Sequence, residues 1–372
     1  MPPKLCYILP EYNPNTEQHF SHLYPFLEGL SAHYQIFLII ERSTSPVNIQ
    51  GMQAIWVQRY SQTVMRILEM AFLLWKAHWQ GCRLFYTHYS TFGGFGAALL
   101  TRFCGGRSFY WNCEVNKDHW VSWNPKHWKT KLKIEIPTYL TIFYSHHLVT
   151  GTPRMASYYE KTYHLKRASA RVLPNWIHPE RFQQQNPEGE AYLKQLSLTK
   201  DPVLLYVHRV APRKGAHHLA PLIREIRQSV PNCQFLIVGG GPYLKMLQEE
   251  VKQESGVYLT GALPNRFLSS FYRRATIFIL PSEQEGFPRV LLEAMLYRLP
   301  IVCTDVGGVA DILTPKQQEF MVPRGQMSLF ANKVIQLLNS SLLRKILAQE
   351  SANQIEFYTQ EVSIQRFSAL IQ

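Results

Sequence analysis

Short apolar runs recur along the chain, and each is followed by a stretch whose apolar positions fall three and four residues apart. In the first half the runs cover residues 5–9, 36–40, 83–86, 109–111 and 148–150. Helical spacing follows at 19–32, where Phe20, Leu23, Phe26, Leu27 and Leu30 share a face, then at 64–75, 94–101 and from Pro153. The pattern restarts at 203–207, 235–238, 257–259, 277–280 and 301–303, with helical segments at 215–229, 243–253, 267–274 and 290–296. Runs that are apolar throughout, rather than alternating, mark strands buried on both faces. Strands alternating with helices imply parallel sheets covered by those helices. The polar stretch 183–199 predicts a linker between two such halves, and 351–371 predicts a final helix with no strand of its own. The predicted fold class is therefore α/β, with two Rossmann-like parallel-sheet domains.

Composition agrees with two packed cores. Of the 372 residues, 46% are hydrophobic and 17% charged, which excludes a disordered chain. No run approaches the roughly 18 apolar residues that span a bilayer, and the run after Met1, Pro2, Pro3 and Lys4 is too short for a signal core. The six cysteines form no C-x-x-C pair and read as small buried hydrophobes in a reducing, cytoplasmic setting. The net charge is +13 and uneven. Residues 1–175 hold 18 Lys and Arg against 9 Asp and Glu, a net of +9, and the rest hold 21 against 17, a net of +4. A partner of the first half must account for that excess.

Candidate chemistry belongs in the loops after the strands, because ligands of doubly wound sheets bind at the strands' carboxyl ends. After the run 277–280 comes PSEQEGFPRVLLEAM, residues 281–295. It has Glu285 in a loop, Pro288 at the first helical position and Glu293 in the helix. Free N–H groups at that helix start suit an anion, and two carboxylates suit hydroxyl groups. After 203–207 comes HRVAPRKG, residues 208–215, where Arg209 and Lys214 are placed to neutralise a diphosphate. After 235–238 comes GGGP, beginning at Gly239, which allows close approach of a ligand. Each feature alone is weak; the argument is their order after successive strands of one sheet.

Together these segments resemble glycosyltransferase family four, the retaining GT-B glycosyltransferases also described as group one. PSEQEGFPRVLLEAM, continued to residue 313, resembles the family's E-x7-E signature, and HRVAPRKG its diphosphate loop. PNWIHPERF at 174–182 resembles its interdomain segment, and YLTGALPN at 258–265 the strand and loop beside the nucleotide base. The resemblance covers roughly 5–370 and is loose in the first half. It implies two domains facing each other across a cleft: 1–175, acceptor-binding, joined by a crossover helix at about 355–372, and 176–354, binding the nucleotide-sugar. It implies that Arg209 and Lys214 hold the donor diphosphate and that Glu285 meets the donor sugar beside the N–H groups of Gly286 and Phe287. Glu293 would hold the ribose and Leu263 would lie by the base. Gly239 and the helix start Pro288, Arg289 and Val290 complete the implied donor set. His208, Trp176 and Arg298 stand where the family commonly has glycine. The loop NPNTEQH at 13–19 lacks the family's paired glycines, and Asn112, Cys113 and Glu114 follow a strand where many members have a histidine.

The aspartates are Asp118, Asp201, Asp305 and Asp311, so no D-x-D exists and no metal site is expected. No cofactor is expected beyond the nucleotide-sugar substrate, UDP- or GDP-linked. Fixed cations and a helix start would stabilise the leaving group, and the family implies retention, for which same-face attack within an ion pair is the working mechanism. His19, His88, Asn112 and Glu114 are the acceptor-side candidates, with a structural role equally open for His88. Residues 117–133 carry Lys117, Lys126, Lys129, Lys131 and Lys133 with Trp120, Trp123 and Trp128 interleaved, against one acid, Asp118. That mixture suits an anionic membrane surface or a solvated basic loop. The expected partners are thus a nucleotide-sugar, a glycan or lipid-linked acceptor and such a membrane, with the chain cytoplasmic or on the membrane's inner face. Two rival readings are a nucleic-acid-binding protein, for which no recognisable module exists, and an inactive domain of the same fold.

Overall fold

The structure is a computed structural model that describes residues 2–14, 20–114, 128–165 and 170–372, with side chains outside 128–134 and 181. The chain divides into two compact units. The first is Met1–Pro174 with Gln360–Gln372, and the second is Asn175–Thr359.

The first unit is built on a seven-stranded sheet of order β3-β2-β1-β4-β5-β6-β7. The strands are β1 Lys4–Leu9, β2 Gln35–Ile40, β3 Ala54–Val57, β4 Leu84–His88, β5 Arg107–Trp111, β6 His147–Thr150 and β7 Ala170–Val172. All pairs are parallel, with Tyr7 opposite Leu38 on one side and Tyr86 on the other. Parallel crossovers are right-handed. The helix Leu23–Leu30, which leads from β1 out to β2, therefore lies on one face. The helices Thr63–Trp79, Thr91–Cys104 and Trp128–Tyr144, which lead the other way, lie on the opposite face. Met70, Leu73, Leu74 and Ala77 pack there against Cys6, Ile8, Phe37, Ile39 and Phe85. On the first face the C-terminal helix Gln360–Ile371 inserts Phe367 between Tyr86, Phe26, Tyr34 and Tyr7, with ring centroids 4.8, 5.7, 6.1 and 6.5 Å away.

The second unit has a six-stranded sheet of order β10-β9-β8-β11-β12-β13, again parallel. Its strands are β8 Val203–Val207, β9 Gln234–Val238, β10 Val257–Gly261, β11 Ile277–Leu280, β12 Ile301–Asp305 and β13 Met321–Pro323. The chain runs from β8 outward to β10, then returns to place β11 on the free side of β8. The loops after β8 and β11 thus diverge from neighbouring strand ends, the crevice at which doubly wound sheets bind ligands.

Four expectations need correction. The helix expected over 19–32 runs from Leu23 to Leu30, and His19 lies outside the described residues. The helix expected at 94–101 starts at Thr91, because the Ser90 hydroxyl accepts from the Gly93 N–H at 3.1 Å and caps it. The polar stretch 183–199 is not a linker. It contains the helix Pro187–Gln195, capped by Asn186, and Gly189 lies so close to Phe267 that a Cβ would come within 2.9 Å of its Cα. The helix expected over 351–371 is two helices, Ser341–Ile355 in the second unit and Gln360–Ile371 in the first. Between them the Tyr358 carbonyl accepts from the Ile177 N–H at 2.9 Å, a bond that draws the backbone out of the helical ladder. The edge strands β3, β7 and β13 have three or four residues each, too short to stand out as apolar runs.

Candidate functional site

The loops after β8 and β11 are tied together across the sheet. The Arg213 carbonyl accepts from the N–H groups of Glu283 and Gln284, both at 3.1 Å. A Cβ on Gly215 would sit 1.8 Å from the Pro281 carbonyl oxygen, and Gly215 has φ +74°, so only glycine fits the turn that carries Lys214. The loop after β12 joins them: a Cβ on Gly307 would lie 1.6 Å from the Glu285 carbonyl oxygen, and the Gly308 N–H donates to the Gly286 carbonyl at 3.2 Å.

Glu285 is the centre of this arrangement. Its Oε2 accepts from Lys214 Nζ at 2.7 Å, and its Oε1 accepts from the Ser282 hydroxyl at 2.8 Å and lies 3.1 Å from His208 Nε2. His208 Nδ1 accepts from the Arg209 N–H at 2.8 Å, so the ring proton sits on Nε2 and points at the carboxylate. Burial pushes the Glu285 carboxyl up, but Lys214 and His208 outweigh it and hold it well below the usual carboxylate range. Burial lowers Lys214, with Glu285 opposing. Burial and then Lys214 lower His208, which leaves that ring neutral at pH 7. The result is a buried, ionised carboxylate held in one orientation by three donors.

Glu293, eight residues on, lies in the helix Arg289–Leu296 and is held apart from that network. It accepts from the Tyr272 hydroxyl at 2.8 Å, and Tyr272 stacks on Tyr297 with centroids 5.5 Å apart. Burial raises its pKa, with Arg289 and Tyr272 opposing. Pro288 precedes this helix as its N-cap rather than as its first residue, and Gly286 and Phe287 lead into it. Val290 is half-buried, as is Leu263 in the loop after β10. Arg209 is exposed, and among the described residues its guanidinium has no ion-pair partner. Gly239 and Gly241 are needed for the neighbouring backbone: a Cβ would meet the His208 carbonyl oxygen at 1.8 Å and the Val210 carbonyl oxygen at 2.2 Å.

Three residues of the site carried no sequence signal that pointed to them: Ser282, Tyr206 and Tyr272. The Tyr206 hydroxyl donates to the carbonyls of Arg209 and Lys214 at 3.2 and 3.1 Å and shapes the cationic loop. His208, a departure from the family on sequence, is a hydrogen-bond partner of Glu285. Among the described residues, His217, His218 and Glu283 bring ligand atoms within 4.8 Å of one another. Glu283 is already bonded there to His218 at 2.5 Å and to the Arg324 guanidinium, whose charge opposes a cation.

In the first unit the acceptor-side candidates are unlike one another. The His88 ring is 1% exposed, stacked on Trp111 at 4.3 Å, with Nδ1 3.4 Å from the Tyr7 hydroxyl. Asn112 is buried; its Oδ1 accepts from the Tyr159 hydroxyl and the Glu114 N–H, and its Nδ2 donates to the Tyr110 hydroxyl. It thereby shapes the loop on which Glu114 is exposed. Tyr89, between His88 and Ser90, has φ +59°, a left-handed conformation costly for an aromatic residue and of the kind held at functional sites.

Two parallel-sheet units, with a cation–carboxylate cluster at the switch point of the second, define a GT-B fold. Among solved structures, sucrose-phosphate synthase from Thermosynechococcus elongatus matches with TM-score 0.77 over 99% of this chain and 98% of its own, at 17% identity. HepE from Anabaena in complex with UDP matches with TM-score 0.77 over 99% of both chains, at 15% identity. Residues 190–354, which carry the whole cluster, match the family described as "Glycosyl transferases group 1". The putative teichuronic acid biosynthesis glycosyltransferase TuaC of Bacillus subtilis is 35% identical over 159 residues, 42% of this chain and 39% of its own length. The capsular polysaccharide biosynthesis glycosyltransferase CapM of Staphylococcus aureus is 28% identical over 189 residues, 49% and 48% of the two chains. The chain thus spans between about two fifths and one half of these curated relatives.

Proposed function

We propose that the protein is a retaining hexosyltransferase that moves a sugar from a nucleoside-diphosphate donor to a glycan or lipid-linked acceptor in the synthesis of a cell-envelope polysaccharide. The observation that carries this is the Lys214–Glu285–His208 cluster at the β8/β11 switch point. Arg209, exposed on the same loop, meets the incoming diphosphate, and Lys214 supplies a second positive charge as the leaving group develops negative charge. Glu285, ionised and immobilised, orients the donor sugar through its hydroxyls with Gly286 and Phe287 beside it. Glu293 receives the ribose, and Leu263 borders the base. No divalent ion is required, because the fixed cations and the helix start at Pro288, Arg289 and Val290 carry the charge compensation. Glu114, with His88 and Asn112 behind it, belongs to the acceptor side. His19 and most of the basic segment 117–133, the sequence candidate for an anionic membrane surface, lie outside the described residues. The UDP bound by HepE and the polysaccharide pathways named for TuaC and CapM support the donor and product classes.

The test is nucleotide release from UDP-, GDP- and ADP-sugars, with EDTA present, by wild type and Glu285→Ala, followed by the anomeric configuration of the product. Release from one donor, lost by roughly a hundredfold or more in the variant, and retention in the product are the expected results. No release from any donor, with or without envelope lipid extract, would overturn the reading.

A further inference from the structure

The helix Thr63–Trp79 is apolar on two sides. Its inner side joins the core beneath the sheet through Met70, Leu73, Leu74 and Ala77. On its outer side Val64, Leu68, Phe72, Trp75 and Trp79 follow at spacings of four, four, three and four residues, a single stripe along the helix. Leu68 is 59%, Phe72 63% and Trp79 80% exposed. A surface helix of a soluble domain carries polar side chains there, and a contiguous apolar patch marks an interaction surface.

The patch extends sideways. The helix Thr91–Cys104 packs beside this one and ends in Phe103, 85% exposed. The helix Trp128–Tyr144 packs beside that and exposes Ile136, Tyr139 and Phe143, again three and four residues apart. All three helices cover the same face of the sheet. Their only acids are Glu69 and Glu135, against Arg66, Lys76, Arg102, Lys129, Lys131 and Lys133. The Glu69 carboxylate is engaged by the backbone N–H groups of Arg59 and Tyr60 at 2.9 and 3.3 Å. Arg66 pairs with Glu41 at 3.1 Å, so among the described side chains the face is apolar and bordered by Trp75, Trp79, Lys76 and Arg102, in the half of the chain that carries the larger charge excess. A second copy of a chain with net charge +13 would bring like charge to it. An anionic bilayer surface offers both an apolar interior for the stripe and negative headgroups for its border.

We propose that the outer face of Thr63–Trp79, continued by Phe103, Tyr139 and Phe143, rests in the surface of a membrane rich in anionic lipid. This does not depend on the donor chemistry. It assigns to a described helical face the membrane contact that the sequence suggested for residues 117–133, which run directly into Trp128–Tyr144.

The test is flotation of the full chain with vesicles of phosphatidylcholine containing phosphatidylglycerol, and of phosphatidylcholine alone. Wild type floats with the anionic vesicles and far less with the neutral ones. Leu68→Glu/Phe72→Glu loses bound fraction by roughly tenfold or more, with an unchanged circular dichroism spectrum and unchanged nucleotide release from a soluble donor. A second measurement on folded protein uses brominated phosphatidylcholine in the anionic vesicles: it quenches wild-type tryptophan fluorescence, and Trp75→Phe/Trp79→Phe removes most of that quenching. Wild type that stays with the pellet, a double variant that floats equally, or quenching that persists in the tryptophan variant would each overturn the proposal. So would a wild-type dimer that Leu68→Glu/Phe72→Glu converts to monomer. Flotation without nucleotide release would leave this proposal standing and remove the donor reading instead.

Discussion

Glu285 and Glu293 are both buried, and their surroundings push them in opposite directions. Glu285 has an ammonium, an imidazole N–H and a hydroxyl as donors, so its charge is compensated. Glu293 has the Tyr272 hydroxyl, and burial prevails. A carboxyl whose folded pKa is raised favours its protonated form in the folded chain. The stability it contributes is present at low pH and is lost as pH rises through the folded value. Glu293→Gln keeps an acceptor for Tyr272 and removes the charge. The variant is expected to be the more stable at neutral pH and above, by an advantage that shrinks as pH falls, read from thermal midpoints across a pH series. Donor KM is expected to rise by roughly tenfold, the value of a hydrogen bond to a charged group, which separates a ligand role from a structural one. Glu285 behaves oppositely: its contribution is lost as pH falls through its lowered folded value.

At the scale of elements, the second unit's loops are packed backbone to backbone, and glycines at 215, 239, 241 and 307 make that approach feasible. One helix end departs from this economy. Arg298, after the helix Arg289–Leu296, has φ +55°, while the N–H groups of Arg298 and Leu299 close onto the carbonyls of Met295 and Ala294. This is a C-terminal cap in which glycine is the unstrained residue. Arg298→Gly removes a left-handed penalty of about 1–2 kcal/mol, partly offset by the added freedom of the unfolded chain. It is expected to raise stability by about 0.5–1 kcal/mol in chemical denaturation. The same departure was visible in the sequence as a missing glycine, but its sign as strain required the backbone angle.

For the whole molecule, the first unit is completed by residues far along the chain. Helix Gln360–Ile371 covers the sheet face opposite Thr63–Trp79, and Phe367, fully buried, meets Tyr7, Phe26, Tyr34 and Tyr86. Phe367→Ala is expected to cost about 3–5 kcal/mol. The loss should fall on the first unit: amide exchange in β1 and β4 should accelerate while that in β8 and β9 stays unchanged. Equal acceleration in both sheets would show that the helix stabilises more than the unit it packs in.

The buried strands, the alternation that makes both sheets parallel, the loops bearing Arg209, Lys214 and Glu285, and the helix bearing Glu293 were legible in the sequence, because apolar periodicity and loop position are local properties of a chain. The edge strands and the helix Pro187–Gln195 were not, because short or polar segments become elements only through what they dock against. The partners of the carboxylates were hidden for a related reason. Lys214 and Glu285 are 71 residues apart and Tyr272 and Glu293 are 21 apart, and only the crossing of strand order at β8 and β11 brings the first pair to 2.7 Å. The sequence by itself determined which residue types reach the strand ends. The tertiary structure alone decided which carboxylate is pushed up in pKa and which is held down, which outer helical face is left apolar, and which unit the C-terminal helix completes, since burial and charge pairing depend on neighbours that are distant along the chain.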